Sequence, residues 1–274
     1  MGLFNNNYNK PGPGISKDLP EQKPFPRFWS ILFRKFGNLV KLNLIFCIPL
    51  IIVAVLIVFL GNILPSVLIF LPLVLVSPFV AGLTIVTRNY AREEHAFVLS
   101  DFIDAVKLNW IPFLINGMIC YIAYVIFSVS ITYYAAQIQV NYLFFIPLSL
   151  CIGISILFIF SQYYIPIMIV TFDLKLKQIY KNAFIFSIVG LWKNLLLTVI
   201  LAVTVFIFDV LFRLMPLTLI IAIALSIIIM FAFCMFLINF MVYPLIHKMM
   251  IQPNIVKTEE RSSDVDFKDH AKFN

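Results

Sequence analysis

Six long apolar runs alternate with short polar stretches along this chain, at residues 43–60, 64–86, 110–133, 142–171, 195–212 and 217–244. A hydrocarbon core of about 30 Å takes roughly 20 helical residues to cross, and every run reaches that length or comes close to it. Helices and closed barrels are the two ways to satisfy backbone polar groups in lipid. Solid apolar blocks such as 46–60 and 217–237 lack the strict alternation of a barrel strand. The pattern therefore predicts an all-α fold: a polytopic membrane helix bundle of six transmembrane helices arranged as three hairpins, with interfacial amphipathic helices. The fourth and sixth runs exceed the span requirement and are expected to tilt, to kink at Pro166 or to protrude. The connections after the first, third and fifth runs are too short to form a folded domain.

The flanking segments divide the chain into an extended tail at 1–26, a transmembrane domain at 27–250 and a polar tail at 251–274. The first tail has no apolar segment of a cleavable signal, so insertion is expected to begin with the first run. Just after it, Phe25, Phe28, Trp29, Ile31, Leu32, Phe33 and Phe36 interleave with Arg27, Arg34, Lys35 and Lys41. That mixture predicts a helix lying at headgroup level before the first span, with a docking surface as the alternative reading. Two linkers are amphipathic. In one, Asp101, Asp104 and Lys107 oppose Phe102, Ile103 and Val106; in the other, Lys177, Lys181 and Asn182 oppose Ile179, Ala183 and Phe186.

A short pattern recurs at the hairpins. The odd-numbered spans are entered through Lys41-Leu42-Asn43, Lys107-Leu108-Asn109 and Lys193-Asn194. The returning spans carry Pro78, Pro166 and Pro244, which are expected near their charged ends. A repeat of this sense would relate three hairpins about an axis along the membrane normal.

Charge orients the bundle. Of the 20 Lys and Arg residues, seven precede the first run, three lie between the second and third, four between the fourth and fifth, and five follow the sixth, leaving only Arg213 on the other side. Positive residues stay in short cytoplasmic loops, so both termini are expected in the cytoplasm. The net charge of +7 matches loops that face an anionic leaflet and does not imply nucleic-acid binding. Cys47, Cys120, Cys151 and Cys234 all fall inside apolar runs without metal or redox spacing, and read as small buried residues.

Candidate chemistry is sparse. His95, His247 and His270 are scattered, with no pair at ligand spacing on one helix, and no nucleophile motif or phosphate loop occurs. No catalytic, metal or cofactor site is expected. Asp209 and Arg213 share a helix face four residues apart; they read either as an ion or proton site or as an interfacial pair. Asn116, Gln162 and Asn239 are the deeper polar residues, with Tyr121, Tyr124, Tyr163 and Tyr164 near them in sequence. They read as interhelical hydrogen-bonding groups or as the lining of a pocket for a sugar-like solute. Arg88, Arg92, Glu93, Glu94, Asp101 and Asp104 form the acid–base cluster that is the candidate partner surface.

Met1-Gly2-Leu3-Phe4, the Pro11-Gly12-Pro13-Gly14 stretch, Arg34-Lys35-Phe36, 78–84 (Pro-Phe-Val-Ala-Gly-Leu-Thr), Arg92-Glu93-Glu94-His95, Asp101-Phe102 and Lys181-Asn182-Ala183 together resemble the YesL family of bacterial integral membrane proteins, a domain of unknown function. The resemblance implies a multi-pass protein of a bacterial plasma membrane, often encoded beside carbohydrate-uptake systems, and supplies no site residues. The expectation is a non-enzymatic accessory or regulatory component of carbohydrate uptake. Its partners would be the lipid bilayer and a carbohydrate ABC transporter or membrane sensor. A small transporter or channel-like component is the alternative.

Overall fold

The computed structural model describes residues 23–61, 63, 65 and 68–252; residues 1–22 and 253–274 of the two polar tails lie outside it. Among the described residues, six helices are long and apolar enough to cross a membrane, and no strand occurs.

Helix α1 runs unbroken from Pro24 to Leu60. Pro24 and Pro26 sit in its first turn, where no intrahelical N–H bond is lost, so the helix starts before the expected end of the tail at residue 26. The predicted headgroup-level helix is not a separate element: it continues straight into the first span. At about 1.5 Å per residue its 37 residues make a rod of about 55 Å. Helix α3, Val98–Gln137, behaves alike, absorbing the first amphipathic linker into a 40-residue helix. The first and third spans, at 37 and 40 residues, are thus the longest, their polar extensions having been excluded from the apolar runs, and the sixth, Pro216–Ile251, is long as expected at 36 residues.

The second span is a 3₁₀ segment, Leu71–Val76, followed by α2, Ser77–Ala91. Pro72 and Pro78 each lie in a first turn. Pro78 therefore stands in mid-span, 13 residues before Ala91, and is not equivalent to Pro166 and Pro244 near the ends of their helices. Helix α4, Phe145–Thr171, stays helical through Pro166. The second linker forms α5, Leu176–Val189, with Ile179, Ala183 and Phe186 buried as its pattern predicts. Helices α6, Leu191–Leu214, and α7, Pro216–Leu225, make the last hairpin with α8, Phe231–Ile246. Two π-helical turns, Ser226–Met230 and His247–Ile251, interrupt this last span.

The second span is the hub, with half of its apolar window buried against 6% for the fourth and fifth. It packs on α1, α3, α4 and α8. Its packing on α3 depends on two glycines: a Cβ on Gly82 would collide with the Phe102 ring, and one on Gly117 with Ser77. By contrast, α6 buries only Asn194 and Leu197, and its remaining apolar surface suits lipid contact.

The three Asn entrances do not play one role. Asn43 spans α1 and the π turn, donating to Ser226 O (2.9 Å) and Ile227 O (2.7 Å) and accepting from Ala232 N (2.9 Å). Asn194 donates to Ser187 O (3.1 Å), near the end of α5, and accepts from Tyr164 Oη (2.7 Å). Among the described residues, Asn109 bonds only back to Ala105 O of its own helix (3.0 Å).

Candidate functional site

All helix ends bearing the basic loops meet at one end of the bundle, where charged side chains tie the helices together. Glu93, in the loop between α2 and α3, has a left-handed backbone (φ 60°). It accepts from Arg27 Nε (2.8 Å) and Arg34 Nη2 (2.9 Å), two residues on the same face of α1. The hydrogen bonds from Arg34 and then Arg27 hold the Glu93 carboxyl below the usual carboxylate range. Arg92 pairs with Glu94 (2.6 Å) and lies 5.2 Å from the centre of the Tyr243 ring of α8. Lys35 lies over Tyr90 in the same manner (5.3 Å).

The remaining members of the predicted acid–base cluster are also engaged. Arg88 donates to Val170 O (3.1 Å) and Thr171 Oγ1 (2.9 Å), clasping the end of α4. Asp101 Oδ2 accepts from Phe97 N (3.0 Å) and closes the first turn of α3. Asp104 contacts Ser100 Oγ (3.4 Å). These residues are brought to one end, where Arg88, Arg92 and Glu93 fasten one element to another and Asp101 and Asp104 make contacts within the start of α3.

With the charges turned inward, the outer face of the α1 extension is aromatic. Phe25 (74% exposed), Trp29, Phe33 (70% exposed) and Phe36 recur at three- and four-residue spacing, which places them on one helix face. Their rings follow one another, Phe25 edge-on to Trp29 and Trp29 stacked on Phe33. Phe28 points the other way, buried against Phe236 and Phe240 of α8. The one-sidedness of this stripe could have been found from the spacing 25, 29, 33, 36 once the segment is read as helix.

Deeper in the bundle, the predicted polar residues separate. Asn116 and Gln162 come together across α3, α4 and α5: Tyr180 of α5 donates from its hydroxyl to Asn116 Oδ1, and Cys120 Sγ lies 3.3 Å from Gln162 Oε1. Burial pushes the Tyr180 phenol up, so it is a neutral donor. Asn239 is elsewhere, donating to Thr87 Oγ1 and Met235 O (2.9 Å each) between α8 and α2. Tyr163 pairs with Thr198. Asp209 and Arg213 form the expected i,i+4 pair (2.9 Å), with side chains 48% and 78% exposed at the opposite end of the bundle.

Beside Asn116 lies a pocket of about 530 Å³ bounded by the 3₁₀ segment, α2, α3 and Pro166 of α4. Phe70 and Tyr124, in edge contact at 6.5 Å, stand at its outer side. Val80 and Phe113 form walls, and the polar residues among its lining are Ser77, Asn116, Cys120, Tyr121 and Tyr124. Among the described residues, no Lys, Arg, Asp, Glu or His lines it. Such a space suits an apolar body with few polar contacts better than the many hydroxyls of a sugar. Among the described residues, no three His, Cys, Asp or Glu side chains gather in a way that could hold a metal ion.

Residues 56–131 match the model of a family described as protein of unknown function, DUF624. Pro166 apart, every residue lining the pocket lies within that matched segment, as do the Gly82–Phe102 and Gly117–Ser77 contacts. No curated protein matches the chain, and no solved structure matches it.

Proposed function

We propose that the protein is a non-enzymatic accessory or regulatory component of a membrane assembly, acting through the basic end of its bundle, which faces the cytoplasm. The positions of 19 of the 20 Lys and Arg residues support this orientation. The observation that carries the docking role is the aromatic stripe on a braced extension. A 37-residue helix tilted by as much as about 40° still extends about 42 Å along the membrane normal, well beyond a core of about 30 Å. The charged end of α1 is the end that projects, so Phe25, Trp29 and Phe33 stand at or above the headgroups. Glu93 and the ring contacts hold that end to α2 and α8. A rigid aromatic face of this kind is what protein contacts favour.

The process, carbohydrate uptake, rests on the resemblance to YesL proteins, and the partner class it suggests is the permease or ATPase of a carbohydrate transporter. Purification in mild detergent is expected to recover such a subunit with the wild-type chain and to lose it with Phe25→Asp/Phe33→Asp. Asp209→Asn, at the other end, should leave recovery intact. Charge reversal at Arg92 or Asp101 is a poorer test, because both residues brace the fold. Movement of a labelled oligosaccharide into liposomes by the purified chain alone would instead support the transporter alternative.

A further inference from the structure

We propose that the pocket between α2 and α3 binds an uncharged amphiphile drawn from the bilayer, an apolar chain ending in one hydrogen-bond-accepting oxygen, and that the Asn116 amide holds that oxygen. Asn116 is 8% exposed and lines the pocket. Its Oδ1 accepts from the Tyr180 hydroxyl, which leaves Nδ2 as the amide's donor. No described residue accepts from Nδ2. A ligand oxygen in the pocket would give that donor a partner away from water.

The ligand class follows from the lining. With no ionisable Lys, Arg, Asp, Glu or His at the pocket, a charged head would be buried without a counterion, so the polar group is neutral. From Phe113 to Tyr124 the pocket follows α3 for about 16 Å, an elongated shape suited to a chain. Its walls belong to transmembrane helices, and the exposed Phe70 and Tyr124 stand at its outer side, so the route in is sideways from lipid.

The probe is a diazirine-bearing long-chain primary alcohol, photolysed with the full chain in phosphatidylcholine nanodiscs and mapped by mass spectrometry. Labelling is expected within 70–80 and 113–124. Unlabelled alcohol should compete about fivefold better than an alkane of equal length, the factor expected for one hydrogen bond, and an alkyl sulfate should not compete. Asn116→Leu should lower labelling about fivefold, Val80→Phe should abolish it, and Asn239→Leu, elsewhere in the core, should leave it unchanged. Competition in the wild-type chain decides the matter even if a variant fails to fold. Labelling spread evenly over lipid-facing helices, equal competition by alkane and alcohol, or competition by the sulfate would each overturn the proposal.

Discussion

Glu93 combines a left-handed backbone with two Arg contacts, a conformation that a non-glycine residue keeps only when its surroundings hold it there. Its folded-state pKa is lowered, by Arg34 first and Arg27 next. The stabilisation is therefore fully present above the ordinary carboxylate value and is lost as pH falls through the depressed one. Because the side chain is 38% exposed, the pairs are screened and worth about 1 kcal/mol or less. Glu93→Gln should lower the thermal unfolding midpoint in detergent near pH 7 and at low salt, and the gap to wild type should close below the ordinary carboxylate range. At Gly82, Ala should cost about 1–3 kcal/mol by forcing Phe102 out of its seat, and Phe102→Leu in that background should recover part of the loss, as a double-mutant cycle would show. Both residues belong to stretches that carry the resemblance, but sequence does not disclose that the ring of one rests on the other. Nor does a Glu announce a positive φ, since nothing in its side chain favours one.

Among the elements, the six spans were legible because lipid demands uninterrupted apolar helix, and their number survives intact. Their ends were less so. Hydropathy locates where charge stops, whereas a helix ends where its backbone bonds stop, so α1 and α3 run on through polar residues. The inward faces could not be read either, because a helix apolar all round has no periodicity to reveal them. Asn43 shows the consequence. Placed by sequence at a charged entrance, it lies about 28 Å along α1 from Pro24 and satisfies the backbone groups exposed by the π turn of the last span. Asn43→Leu leaves those groups unpaired and should destabilise the bundle by about 1–2 kcal/mol. The corresponding change at Asn109, which bonds only within its own helix, should cost less than half of that in the same unfolding assay.

At the scale of the molecule, the bundle gathers around its second span and leaves two features turned outward: an apolar pocket among the apolar helices and an aromatic stripe at the charged end of α1. The acid–base cluster was legible as a group at one end, but its use as bracing was not, because the partners of Arg88 and Glu93 lie more than fifty residues away in sequence. Asn116 and Gln162 stand out in the sequence as deep polar residues, whereas Tyr180, which joins Asn116 from a linker helix, gave no signal beyond its amphipathic position. The central claim is that the stripe on α1 meets a protein. A photoreactive phenylalanine analogue at Phe33, irradiated in native membranes, tests it most directly, with Ile52 on the exposed face of the first span as the lipid-facing control. The account predicts a discrete protein adduct at position 33, identified as a transporter subunit, and lipid adducts at position 52. Lipid adducts alone at both positions would contradict it and leave the stripe as a headgroup anchor.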